Sequence, residues 1–323
     1  MDRPYVMGVD VGGTNTVFGV VDARGVILES GKIKTGSYET AEAYLAVLAP
    51  ELNKLIERAG GKEKFNGIGI GAPNGNYYKG TIEDAPNMVW AKGKVIPFAK
   101  MISYATGIPV ALTNDANAAA IGEMTYGIAK GMKDFIMITL GTGVGSGIVV
   151  NGQLVYGHDG FAGELGHVVV RKENGRLCGC GRRGCLEAYT SATGVARTAK
   201  EFVEQGKVKT LLTELVPDVE KITSKDVYDA AVKGDSVAID IFKYTGRLLG
   251  EAFADFIAFS SPEAIVLFGG LARSGEFIMQ PIKEAMTEYS LGIFKGKTKI
   301  LLSELPESDA AVLGASALAW EIK

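Results

Sequence analysis

All three cysteines of the chain, Cys178, Cys180 and Cys185, fall within eight residues, and one of its two histidines, His167, lies just upstream. Three thiolates and an imidazole are what one tetrahedral zinc ion requires. Gly179, Gly181 and Gly184 let the chain turn tightly around an ion. Free cysteines are also ordinary core residues. Glycine-rich polar sequence carrying Arg182 and Arg183 is poor core material, so the metal reading is preferred. Four protein ligands leave no open position, so this zinc would be structural. Its work would be to fix His167 and the two carboxylates that bracket the cluster, Glu164 and Glu187.

Two glycine-rich turns suggest anion binding. Asp10-Val11-Gly12-Gly13-Thr14-Asn15 joins two strands, and Leu140-Gly141-Thr142-Gly143-Val144-Gly145 does the same later in the chain. Neither has the Gly-Lys-Ser/Thr ending of a Walker loop, and no helix follows as a dinucleotide fingerprint would demand. Backbone N–H groups in such turns can approach a phosphate closely. Asp10 could hold magnesium, directly or through water. Taken singly, each turn is equally a plain hairpin; two at matching places favour a phosphate clamp. Asn114 and Asp115 stand where a strand meets a helix. Either is an ordinary helix cap, or the Asp115 carboxylate accepts a proton from a substrate hydroxyl. Val266-Leu267-Phe268 ends in Gly269-Gly270, a turn open enough for a flat base, though weak evidence alone.

The elements that must position these residues follow from hydropathy patterning. Strands are predicted at Val6–Asp10, Thr16–Val21, Gly25–Gly31, Gly67–Gly71 and Val110–Thr113. Helices are predicted over Thr40–Ala59 and Asp115–Tyr126. The strand-turn-strand opening then recurs: Met137–Val150 echoes Met7–Val20, which reads as an internal duplication. Asn151-Gly152 marks a hairpin into Gln153–Tyr156. Further helices are expected near 191–205, 224–233 and 235–258, strands at Ala264–Phe268 and Lys299–Leu302, and a last helix from Asp309 to about Trp320. Residues 74–98 read as irregular. The expected division is an N-terminal α/β domain, 1–114 plus the helix 309–323, and a larger α/β domain, 115–308, around a shared cleft.

Bulk properties narrow the function classes. At 323 residues with 47% hydrophobic and 22% charged residues, the chain can bury one large or two medium cores. The net charge of −3 offers no basic excess for nucleic acid. No apolar run is long enough to span a bilayer. Met1 to Tyr5 leads straight toward a strand, with no signal-like apolar segment. Three clustered cysteines do not suit a disulfide framework, so a reducing cytoplasm is expected.

Together these residues resemble the ROK family of repressors, open reading frames and kinases, over essentially the full length. Asp10-x-Gly-Gly-Thr14, Leu140 to Gly147 and Gly269-Gly270 resemble the two phosphate loops and the adenosine turn of the wider sugar-kinase, heat-shock ATPase and actin superfamily. Gly163-Glu164-x-Gly166-His167 followed by Cys-x-Cys-Gly-x-x-Gly-Cys-x-Glu resembles the ROK branch specifically. The resemblance implies a duplicated ribonuclease-H-like fold, ATP and magnesium as nucleotide and cofactor, and Asp115 as catalytic base. It maps sugar contacts to Asn87, Asn114, Asp115, Glu164, His167 and Glu187, and nucleotide contacts to Asp10, Gly12, Gly13, Thr14, Gly141, Thr142, Gly143, Gly269 and Gly270. It also implies a homodimer. One departure is visible: Gly71-Ala72-Pro73-Asn74 stands where family members commonly read Gly-x-Pro-Gly. Repressors of the family carry an N-terminal helix-turn-helix, for which a first loop beginning at residue 10 leaves no room. The expected activity is an ATP-dependent hexose kinase acting on the 6-hydroxyl, with glucose favoured over N-acetylated hexosamines.

Overall fold

The computed structural model describes residues 3–204 and 209–322; Met1, Asp2 and residue 205 of the predicted helix lie outside them. The chain opens with β1 (Tyr5–Val11), β2 (Asn15–Asp22) and β3 (Ile27–Lys34), then α1 (Ala41–Arg58) and β4 (Phe65–Gly71). Three short strands follow, β5 (Gly75–Asn76), β6 (Thr81–Glu83) and β7 (Val95–Ile96), before α2 (Phe98–Thr106), β8 (Val110–Thr113) and α3 (Asp115–Thr125). The second part begins with β9 (Phe135–Leu140), β10 (Val144–Val150) and β11 (Gln153–Leu154). The helices α4 (Glu187–Thr190), α5 (Ala192–Glu204), α6 (Leu212–Leu215), α7 (Ser224–Val232) and α8 (Ser236–Ser260) follow. The chain closes with β12 (Ala264–Phe268), α9 (Glu276–Tyr289), β13 (Lys299–Leu302) and α10 (Glu307–Ala319).

The two large sheets repeat one plan. The first runs β3-β2-β1-β4-β8 and the second β11-β10-β9-β12-β13. In the first, β1 pairs antiparallel with β2 and parallel with β4, which pairs parallel with β8. In the second, β12 lies parallel to both β9 and β13, and β10 pairs antiparallel with β11. This is the duplicated ribonuclease-H-like fold expected from the echo of Met7–Val20 in Met137–Val150.

Two compact units emerge from the contacts. Unit one holds the residues up to Lys133, Gly147–Gly163 and the chain from Ser303 onward; unit two holds Asp134–Ser146 and Glu164–Leu302. This division differs from the boundary drawn at residue 114. The helix α3 stays with unit one because it packs on α10, where the Gly122 position meets the Gly314 backbone. A Cβ at Gly8 or Gly69 would run into the carbonyls of Val312 and Ala315, so these glycines let α10 lie directly on β1 and β4. The core of unit one also contains Tyr44 of α1 stacked on Trp90 at 4.9 Å, both fully buried. Thr40 starts α1, its hydroxyl accepting from the Ala43 N–H at 3.1 Å.

Three expectations need correction. Residues 74–98 are not irregular throughout: β5, β6 and β7 pair antiparallel as a small sheet of their own. Each strand has only two or three residues, too few to show an alternation. The hairpin strand predicted to Tyr156 ends at Leu154. Residues 276–289, for which the hydropathy pattern predicts no element, form α9 despite Pro281 inside the helix.

Candidate active site and metal centre

In unit one the chemistry gathers at the carboxyl ends of three parallel strands, where open α/β sheets commonly bind ligands. Asp10 near the end of β1 pairs in register with Gly71 at the end of β4, and Gly71 with Thr113 at the end of β8. Asn114 and Asp115 follow at once. A Cβ built on Gly71 would lie 3.6 Å from the Asp115 Cα and 3.7 Å from Asp10 Oδ1. The missing side chain lets the start of α3, at Asp115 and Ala118, lie close against the end of β4.

The structure separates the two readings of Asn114-Asp115. Asn114 is the helix cap: its Oδ1 accepts from the Asn117 N–H at 2.7 Å. Asp115 is the first helical residue, and its Oδ1 accepts from the Ala116 N–H at 2.8 Å. Its carboxyl group stays accessible while the surrounding protein displaces bulk water, which raises its pKa. The Ala116 N–H bond to the carboxylate opposes that rise. Asp10 is pushed up to about 7, mainly by burial and then by the negative charge of Asp115. A buried carboxyl whose proton affinity is raised by a neighbouring carboxylate is the kind of group found where a cation is held or a proton is moved.

The first glycine turn leaves β1 beside this pair. The Gly12 N–H bonds to the Asn15 carbonyl at 3.1 Å, and the Thr35 N–H to the Thr14 carbonyl at 3.0 Å. Asn87 lies against the turn; a Cβ at Gly13 would sit 3.1 Å from that of Asn87. The departure at Asn74 is accommodated. Asn74 takes a positive φ of 52°, and its Nδ2 donates to the Asp84 carbonyl at 3.0 Å. An asparagine replaces glycine there without losing the turn.

In unit two, the ends of β9 and β12 meet. Gly269 has a φ of 104°, and a Cβ there would lie 2.5 Å from the Leu140 carbonyl oxygen. Gly141 and Thr142 of the second loop and Gly270 line one cavity of about 390 Å³. Ser224, Lys225, Tyr228 and Arg273 complete its wall. Sequence reasoning missed these four. The capping box of Thr223 and Asp226 marks the start of α7, but nothing local ties that helix to a loop so far back in the chain. Thr193 Oγ1 donates to the Thr142 carbonyl at 2.9 Å, and the Ala192 N–H to the Gly141 carbonyl at 2.8 Å, so the start of α5 braces the loop.

The metal-ligand set converges as the spacing suggested. The donor atoms of His167, Cys178, Cys180 and Cys185 all lie within 4.8 Å of one another. His167 Nδ1 is 3.7 Å from Cys178 Sγ, and the Cys180 and Cys185 sulfurs are 3.7 Å apart. A tetrahedron with metal–sulfur bonds of about 2.3 Å has edges of about 3.8 Å, so the set is compatible with structural zinc. Burial raises the Cys178 thiol to about 12, with a neighbouring thiol and Glu187 adding to the rise. A divalent cation reverses that balance and holds the thiolate. The other nitrogen of the ring, Nε2, is 4.0 Å from Glu164 Oε2. Glu187 joins the cluster to the second glycine loop. Its Oε2 accepts from the Val144 N–H at 2.9 Å, and its Oε1 lies 3.4 Å from Cys178 Sγ. Ser146, also missed, accepts from the Leu165 N–H at 3.0 Å and sets the turn that carries Glu164 and His167.

Comparison with known proteins agrees with this arrangement. The ROK family model matches residues 6–322. A glucokinase of Halalkalibacterium halodurans is 37% identical over 327 residues, covering 100% of this chain and 96% of its own length. The crystal structure of a ROK family glucokinase from Streptomyces griseus, in complex with glucose and AMPPNP, superposes with a TM-score of 0.80 at 34% identity, covering 98% of this chain and 99% of that one. A xylose repressor of Caldicellulosiruptor bescii is 29% identical over 98% of this chain but only 78% of its own length. A family match across nearly the whole chain, with relatives above 30% identity over their full length, leaves one assignment: this chain belongs to the ROK family.

Proposed function

We propose that the protein is an ATP-dependent glucokinase that transfers the γ-phosphoryl group to the 6-hydroxyl of glucose. The observation that carries this reading is the exposed Asp115, held at the strand ends close enough to Asp10 for its charge to raise the Asp10 pKa. Phosphoryl transfer needs little covalent work from a protein; it needs alignment, charge neutralisation and a proton acceptor. In this reading the Asp115 carboxylate takes the proton of the sugar hydroxyl. The oxygen forms its bond to the γ-phosphorus as the bond to the bridging oxygen breaks, and ADP leaves. Magnesium, when bound with ATP, neutralises phosphate charge, and Asp10 is the residue suited to hold it.

The other roles follow the same logic. Gly12, Gly13 and Thr14 and the loop Gly141-Thr142-Gly143 offer N–H groups to the phosphates, and the cavity beside Gly269 and Gly270 has room for the adenosine. Asn87, Asn114, Glu164, His167 and Glu187 join Asp115 in holding the sugar hydroxyls. Zinc on His167, Cys178, Cys180 and Cys185 would orient the imidazole and, through the loop, Glu187. The enzyme acts as a cytoplasmic homodimer in this account. A panel of hexoses assayed with ATP for ADP release tests the reading: glucose should support turnover, and failure of every common aldohexose and N-acetylhexosamine would sink it.

A further inference from the structure

Behind the zinc loop, unit two contains a second polar cavity of about 390 Å³ that the proposed phosphoryl transfer does not use. Its volume falls in the range of small-molecule pockets, about 300–1,000 Å³. Four arginines line it, Arg171, Arg176, Arg183 and Arg197, with two tyrosines, Tyr189 and Tyr244.

Arg176 forms a rigid floor. It is 8% exposed, and its Nη1 donates to the carbonyls of Ala188 and Gly194 at 3.2 and 3.3 Å. Its Nη2 donates to Thr198 Oγ1 at 3.0 Å and Glu201 Oε2 at 2.5 Å. Its guanidinium also sits 4.6 Å over the Tyr189 ring. The walls are less committed. Arg183 donates through Nη1 to the Gly175 carbonyl at 3.2 Å, and no carboxylate among the described residues forms a salt bridge with it. Arg197 shares Glu201 with Arg176, at 3.2 Å, and spends Nη1 on the Leu177 carbonyl. Arg171 spends Nη1 on the Val170 carbonyl at 2.9 Å, with Glu251 3.6 Å away, and bonds Tyr244. Only Glu173 and Glu201 are acidic among the lining residues. Guanidinium N–H groups therefore remain over for a ligand, since each arginine carries five donors. Arginine forks match the oxygens of a phosphate bidentately.

We propose that this cavity binds a small sugar phosphate, as a regulatory site distinct from the catalytic one. The phosphate would engage Arg171, Arg183 and Arg197, with Glu173 and Asn174 of the lining facing the sugar hydroxyls, while Tyr244 already bonds Arg171. The class of sugar phosphate rests on the proposed function, whose product is a hexose 6-phosphate. The cavity wall is also the back of the metal loop. The Gly184 N–H donates to the Arg176 carbonyl at 2.9 Å, and Tyr189 follows Glu187 on the same helix, α4. An occupant there would act on the segment that carries Cys185 and Glu187.

The test is calorimetric titration of the full-length, zinc-loaded protein with glucose 6-phosphate in saturating glucose, at fixed ionic strength. Arg171→Ala/Arg197→Ala is the comparison, with Arg197→Gln as a milder variant should the pair fail to fold. The expected result is one site per chain, with affinity at least tenfold lower in the double variant, severalfold lower in Arg197→Gln, and zinc content unchanged. Inorganic phosphate should bind there more weakly than the ester. Glucose 6-phosphate should also slow wild-type turnover at saturating glucose by a route that the variants have lost. Equal affinity in wild type and variants, no binding, or binding of inorganic phosphate as tight as that of the ester would overturn the proposal. If glucose is not phosphorylated but arginine-dependent binding persists, the proposed function fails and this site stands.

Discussion

At the scale of single residues, the account rests on two carboxylates with different tasks. Asp115→Asn keeps the shape of the side chain and its acceptor for the Ala116 N–H but cannot take a proton. It should lower kcat by about 10²–10⁴-fold with little change in glucose binding or melting temperature; a stability loss with turnover kept would return Asp115 to a structural role. Asp10 makes the opposite prediction for stability. Its folded pKa of about 7 lies above the ordinary carboxyl value of 3.8, so the native state holds the proton more tightly than the unfolded chain. The stability it contributes is present below pH 3.8 and is lost as pH rises through about 7. In magnesium-free buffer, Asp10→Asn should therefore melt a few degrees above wild type at pH 8, flatten that decline and abolish magnesium-dependent turnover. An unchanged profile of melting temperature against pH would contradict the burial argument. Asp10, Asp115 and the four candidate metal ligands could be singled out in the sequence by type and local spacing, and the structure brings the Cys and His donors together. Gly71 could not: its part is the absence of a side chain, visible only once β1, β4 and β8 are in register.

At the scale of elements, the metal loop and the last helix are the informative tests. Cys180→Ser should remove zinc, as elemental analysis would read, and raise the KM for glucose while circular dichroism remains near wild type. A chain of this size does not need a metal to form its core. Unaltered zinc content in Cys180→Ser would remove that residue from the ligand set. Gly69→Val should push α10 off the sheet, because the new side chain meets the Ala315 carbonyl. Overpacking of this kind costs about 1–3 kcal/mol or more and should appear as a lower urea midpoint with an unchanged slope. The strands β1, β4, β9 and β12 were readable from apolar runs that end at or run into a glycine. The small sheet β5-β6-β7 was not, since two-residue strands are set by pairing rather than pattern. The helix α9 was hidden by Pro281, whose missing N–H the surrounding packing tolerates: Pro281 is buried against the Gly246 position of α8.

At the scale of the whole molecule, the repeat of Met7–Val20 in Met137–Val150 read as an internal duplication, and the two five-stranded sheets share one strand order. The assignment of α3 to unit one was not legible, because it depends on a contact between Gly122 and Gly314, far apart in sequence. No helix among the described residues is long and apolar enough to cross a membrane. The proposed homodimer predicts a light-scattering mass of twice 34.1 kDa; a single-chain mass at assay concentration would contradict it. The central claim is that this ROK protein is a kinase whose sugar is glucose. A site built around hydroxyl contacts discriminates strongly against analogues that lack or replace them. The most direct test is kcat/KM with ATP for glucose against N-acetylglucosamine and N-acetylmannosamine, measured on the same preparation. The account predicts the highest value for glucose. A preference of about tenfold or more for either amino sugar, equivalent to about 1.4 kcal/mol in transition-state binding, would contradict it.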